Sequence, residues 1–211
     1  LQPDLIVYVG TFDALTTFAD EHDIRTLSIQ MGTLEGIRRA MRTLGRRLDC
    51  SREVDRLVGR FDAELGAVRA RVRTQPPKRV YLCTAHKPAD LGKLGTCSPE
   101  GFLGELLAIA GGENIFTDVQ GAWPQISKES LLKRAPEVIV ELHPRGMGAA
   151  PSTFERLRQD WQKLESIPAV RRGEIHFLTE DFLLIPSVRA PRIARRLAQV
   201  IHPEAFGDAR D

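Results

Sequence analysis

The sequence predicts an α/β protein of two lobes joined by one long helix. Three observations carry this. Short apolar runs rich in β-branched residues alternate with amphipathic stretches at the start of the chain, the rhythm of a parallel sheet with crossover helices. One stretch, residues 51–73, then breaks that rhythm with a continuous apolar stripe and no turn signal. After it, strand and helix signals resume.

Each element follows from local chemistry. "LIVYV", Leu5 to Val9, reads as a strand ending at Gly10. Asp13 to Glu21 has helical spacing through Leu15, Phe18 and Ala19, and Ile24 to Ile29 is a second strand. Thr33 is a plausible N-cap for a helix with Leu34, Ile37, Met41 and Leu44 on one face. Ser51 is expected to cap the long helix, whose stripe is Val54, Leu57, Val58, Phe61, Leu65, Val68 and Val72. Pro76 and Pro77 stop it. Arg79 to Cys83 is a strand, "TAHKPADLGKLGTCSPEG" a loop, and Phe102 to Ala110 a helix ended by Gly111 in a left-handed cap. A helix over Lys128 to Arg134, a strand over Val138 to Leu142, a helix over Thr153 to Trp161, a strand over Ile175 to Leu178 and a closing helix over Ala190 to Ile201 complete the reading. The expected organisation is a partial N-terminal lobe at 1–50, an interlobe helix at 51–75 and a C-terminal lobe at 76–211.

Composition bounds the function. The 211 residues are 42% hydrophobic and 27% charged, which excludes a disordered chain and leaves room for one large domain or two small lobes. A net charge of +2 argues against a dedicated nucleic-acid binder. No apolar run approaches the roughly 18 residues needed to cross a bilayer. Leu1 already lies within strand-like sequence, so a fragment or processed chain is expected. Cys50, Cys83 and Cys97 fit no zinc spacing. Cys83 and Cys97 bracket one loop, where a disulfide and two free thiols are equal alternatives.

No catalytic set emerges. The chain has no G-x-G-x-x-G, no P-loop and no G-x-S-x-G, and its five histidines show no i, i+4 pairing for zinc. Glu21-His22-Asp23 reads as a solvated turn between a helix and a strand. No cofactor and no metal are expected. In open α/β sheets, ligands sit outside the carboxyl ends of strands. That rule selects His86 and Lys87 after the Arg79–Cys83 strand, and Asp181 and Phe182 after Ile175–Leu178. Trp123, in the loop before the Ser127 helix, joins them. The plain alternatives are an exposed loop histidine, a packing tryptophan and a turn aspartate. Arg189 precedes a helix near the Asp181 loop and is available to an anionic ligand group or to Asp181 itself.

These residues also carry a resemblance. "LQPDLIV", "GGENIF" followed by "WPQISKESLLKRAPEVIV", "IPAVRRGEIHFLTEDF" and "APRIARRLAQVIHPEAF" resemble, in order and spacing, segments of class III periplasmic substrate-binding proteins of ABC importers. The cobalamin-binding members are the most similar. The resemblance spans essentially the whole chain and implies two Rossmann-like lobes on one rigid helix, with ligand held between them. It implies a corrinoid ligand, or alternatively haem or a ferric siderophore, and no enzymatic turnover. It implies a membrane permease as partner, and a monomer in the periplasm or lipid-anchored at the outer face of the cytoplasmic membrane. Trp123 falls on a ligand-facing aromatic, Asp181 near a polar contact, and Glu129 on an acid that docks to the permease. Tyr8 lies beside Val9, where cobalamin binders often carry a tryptophan. The family pattern has a further β/α stretch before "LQPDL", expected to be missing here. An enzyme on a two-lobe scaffold would need a glycine loop or an acid pair, and a sensor domain would share the fold without transport.

Overall fold

Residues 3–144 and 151–207 are described in the computed structural model. Strands β1 (Leu5–Val9) and β2 (Arg25–Ile29) pair in parallel, Leu5 opposite Arg25 through Val9 opposite Ile29. Helix α1 (Asp13–Glu21) connects them, and α2 (Leu34–Arg47) follows. Thr33 caps α2 as expected, its hydroxyl accepting from Gly36 N at 3.0 Å.

Helix α3 (Ser51–Val72) has 22 residues, about 33 Å of helix. Cys50, not Ser51, occupies its N-cap. Asp49 turns the chain at φ 53° and brings Cys50 N to Gly45 O at 2.9 Å. That sharp reversal starts the helix one residue earlier than the serine rule suggests. The stripe Val58, Phe61, Leu65, Val68 and Val72 is buried along its length. At one end α3 packs on α2, where Val54 meets Gly45 so closely that an added Cβ would sit 2.8 Å from a valine methyl.

The second lobe is built on a four-stranded parallel sheet in the order β6–β3–β8–β9. Here β3 is Lys78–Cys83, β6 is Gly112–Asn114, β8 is Val138–Leu142 and β9 is Ile175–Leu178. Helices α4 (Phe102–Ile109), α5 (Lys128–Arg134), α6 (Pro151–Gln162) and α7 (Pro168–Arg172) lie between these strands, and α8 (Ala190–Ile201) closes the fold. The strand order reverses between β3 and β8, so the crevice opens at their carboxyl ends.

The expected loop after β3 is instead a hairpin, β4 (Ala85–Lys87) with β5 (Asp90–Gly95), extended by the short β7 (Gln125–Ile126). Its turn holds Ala89 at φ 64° after Pro88, a position where glycine or asparagine would have announced it. The short elements β6 and α7 were likewise not expected from periodicity.

Two hydrophobic clusters hold the protein together. One joins Leu34, Ile37 and Met41 of α2 to the α3 stripe and to Ile193, Leu197 and Ile201 of α8. The other lies on the opposite side of the second sheet, around Tyr81, Phe116, Ile139 and Trp161.

Candidate functional site

Where β2 ends, Gln30, Met31 and Gly32 turn toward the start of α4. Gly32 O accepts from Phe102 N at 2.8 Å, and Leu34 N donates to Glu105 Oε2 at 2.6 Å. A carboxylate from the second lobe therefore binds an orphan amide at the α2 N-terminus. These two bonds tie the lobes at the base of a cavity of about 400 Å³.

The cavity wall is mostly apolar. Val9, Met31, Phe102, Leu103, Trp123 and Leu184 line it, with Gln30 and Cys97 as polar or soft groups. Burial pushes the Cys97 thiol up to about 12, so it faces the cavity as a neutral thiol. Gly104 lets α4 approach this wall: a Cβ there would lie 2.4 Å from Ser98 O.

Trp123 is 49% exposed and stands edge-on to Phe102, ring centroids 6.4 Å apart at 74°. Its loop is fixed by the bond from Thr96 N to Pro124 O at 2.9 Å, and then by β7. Ser127 caps α5, its hydroxyl accepting from Ser130 N at 3.2 Å. Glu129, in the first turn, is exposed. Its own backbone amide, then the Ser127 hydroxyl, hold its carboxyl below the usual range. Five residues thus separate an aromatic in the cleft from a solvent-facing carboxylate.

The other expected ligand residues are placed differently. His86 is neither at the cavity nor exposed. It is 6% exposed, with Nδ1 3.1 Å from Glu141 Oε1 and Nε2 3.7 Å from Asp160 Oδ2. The β4–β5 hairpin carries it inward, over the carboxyl end of β8. Glu141 there also accepts from His143 Nε2 at 2.6 Å and from the Trp161 indole N–H. Burial alone would raise its carboxyl, and the bonds from His143, His86 and Trp161 outweigh that, holding it below the usual range. Tyr8 lies on β1 opposite Ser28 and is not part of the cavity wall, whereas its neighbour Val9 is.

Asp181, Phe182 and Arg189 do come together, but not on the cavity wall. Arg189 Nη1 lies 3.6 Å from Asp181 Oδ1, and its guanidinium stacks over the Phe182 ring at 5.4 Å. The same loop reaches the cavity through Leu184 and Pro186 instead. Cys83 and Cys97 are free thiols. His22 stacks on Phe18 in a turn, and among the described residues no group of three or more His, Cys, Asp or Glu side chains is placed to hold a metal.

The strand-end rule would have found Gln30–Gly32 had it been applied to β2 as it was to β3 and β9. Glu105 had no such signal, because its partner amide is 71 residues away.

The family model for periplasmic binding proteins matches residues 1–182. The chain belongs to that family. Among curated proteins, this binding protein is 29% identical over 139 residues to the vitamin B12-binding protein of Yersinia pestis (strain Pestoides F), a match covering 66% of the chain and 44% of the relative. The matched stretch thus spans under half the relative's length. A solved ABC transporter substrate-binding protein from Listeria monocytogenes EGD-e superposes with a TM-score of 0.80 at 17% identity, covering 96% of this chain and 78% of that one. The periplasmic vitamin B12 binding protein of Vibrio cholerae superposes with a TM-score of 0.72 at 21% identity, covering 99% and 77%. These likenesses establish the two-lobed α/β fold of this binding protein. None of its described helices is long and apolar enough to cross a membrane.

Proposed function

We propose that this chain is the ligand-capturing part of an ABC importer. It holds a corrinoid in the cavity between its lobes and delivers it to a membrane permease. One observation carries the reading: a half-exposed tryptophan, edge-on to Phe102, on an apolar wall contributed by both lobes. Such a surface suits a large ligand with a flat, weakly polar face. The names of the Yersinia and Vibrio relatives support a corrinoid over the alternatives on this scaffold, haem or a ferric siderophore. The family, whose solved neighbours are binding proteins, supports binding without turnover.

In this reading residues 1–50 belong to one lobe, 51–75 form the connecting helix and 76–211 the other lobe. Glu129 presents its charge to arginines of the permease, and the protein works as a monomer on the outer side of the cytoplasmic membrane, free or lipid-anchored. Equilibrium dialysis against cyanocobalamin, haemin and a ferric siderophore tests the proposal. Saturable submicromolar binding of cyanocobalamin is expected. Preference for one of the iron ligands would transfer the assignment to that class. Binding of none would refute both, and leave a sensor domain on the same fold.

A further inference from the structure

The charge of this protein is segregated. Residues 34–73 and 189–201, which form α2, α3 and α8 with their flanks, hold fifteen arginines, no lysine and six acids. That is a balance of +9 in a chain of net +2, so the rest of the molecule carries −7. The three helices form one continuous layer, α3 packed between α2 and α8. Twelve of the fifteen arginines are exposed, and among the described residues only Arg38, Arg56, Arg189 and Arg196 are ion-paired.

The arginines converge along the length of α3. Arg42 and Arg46 of α2 face Asp55 across one shallow groove, and Arg56 and Arg60 border a second. Between α3 and α8 a groove of about 410 Å³ is framed by Arg71, Arg192 and Arg195, with one acid, Glu64, on its wall. Its floor is apolar, with Val68, Pro191 and Phe206. Arg71 is held in place, donating to Ala205 O at 3.0 Å and stacking over Phe206 at 5.2 Å. None of these arginines lines the interlobe cavity.

We infer that the α2–α3–α8 layer is a docking surface for a bilayer rich in anionic phospholipid. Guanidinium groups bind phosphate in a two-pronged geometry that ammonium cannot match, and this layer uses arginine alone. The charge is spread over a helix about 33 Å long and is not gathered in one pocket, which fits a partner presenting a phosphate on every lipid. The apolar floor between Arg71 and Arg192 accepts the glycerol and upper acyl carbons of a lipid whose phosphate the rim holds. With −7 on the remainder of the chain, contact through this layer also orients the molecule.

Vesicle co-sedimentation tests this with the 211-residue chain. Binding is expected to vesicles of equal parts phosphatidylglycerol and phosphatidylcholine, and not to phosphatidylcholine alone. Raising salt from about 0.1 M to about 1 M shortens the screening length from about 10 Å to about 3 Å and should release the protein. The triple variant Arg71→Gln/Arg192→Gln/Arg195→Gln should weaken binding roughly a hundred-fold, at about fivefold per arginine. Arg42→Gln/Arg46→Gln/Arg60→Gln makes the same test on residues with no bond to the α8 turn. Arg158→Gln/Arg171→Gln/Arg172→Gln changes net charge equally on α6 and α7 and should leave binding intact. Equal loss in that control, equal binding to both vesicle types, or capture of soluble heparin without vesicle binding would each overturn the inference.

Discussion

Replacing Glu141 with glutamine probes the buried polar cluster beneath the β4–β5 hairpin. The carboxylate is fully buried and accepts from three donors: His86, His143 and Trp161. A neutral amide keeps the volume, but one of its two polar ends is itself a donor. At least one of the three facing N–H groups then loses its acceptor, at about 1–3 kcal/mol each, and the charge assistance is lost as well. The expected loss is about 3 kcal/mol at pH 7, or roughly 6–12 °C in melting temperature for a chain of this size. The pH dependence follows from the lowered folded pKa of Glu141. A carboxyl depressed on folding adds stability above its unfolded value of about 4.3, and that contribution disappears as pH falls through the folded value. The parent and Glu141→Gln should therefore converge as pH drops below the ordinary carboxylate range. Urea unfolding followed by circular dichroism at pH 7 and in acid measures both quantities. A difference under about 1 kcal/mol at pH 7, or a gap that persists unchanged in acid, would refute the reasoning.

Other outcomes follow from single contacts. Glu105→Ala removes the carboxylate bound to Leu34 N and should cost about 1–2 kcal/mol, with faster amide exchange at the start of α2; unchanged exchange there would count against an interlobe tie. Gly104→Ala drives a Cβ to 2.4 Å from Ser98 O, for an expected loss of about 1–3 kcal/mol in thermal melts, whereas a neutral result would mean the backbone gives way freely. In Ellman titration at pH 8 the folded protein should react at Cys50 at most, because Cys83 and Cys97 are buried thiols; all three should react in urea, and prompt reaction of two in the folded state would contradict the burial.

Much of the fold was legible because long elements announce themselves. The α3 stripe repeats at three- and four-residue spacing over 22 residues, and only one buried arrangement satisfies it. The hairpin after β3 was not legible, since its strands are three and six residues long and its left-handed turn position is an alanine. The site was read in part. Trp123 stands out in the sequence by its place in the loop before the Ser127 helix and by the family resemblance, with a packing role left open; it lies on the cavity wall, edge-on to Phe102. The burial of His86 was not legible, because position after a strand does not say whether the next turn folds outward or, as here, inward over β8. Asp181 and Arg189 satisfy each other, an alternative the sequence left open. Glu105 was invisible because its contact depends on how the two lobes meet.

Tryptophan fluorescence offers the most direct measurement of ligand capture between the lobes. The chain has two tryptophans: Trp123 is half-exposed on the cavity, while Trp161 is fully buried and bonded to Glu141. A ligand seated in the cavity should quench Trp123 saturably and leave Trp161 emission as a constant background. Covering the exposed half of an indole side chain removes about 100 Å² from water, worth about 2.5 kcal/mol. Titration with cyanocobalamin should therefore show saturable quenching in the parent. In Trp123→Ala, binding measured by dialysis should weaken close to a hundred-fold. Saturable binding of equal strength in the parent and in Trp123→Ala would place the ligand elsewhere and contradict the cavity between the lobes as its site.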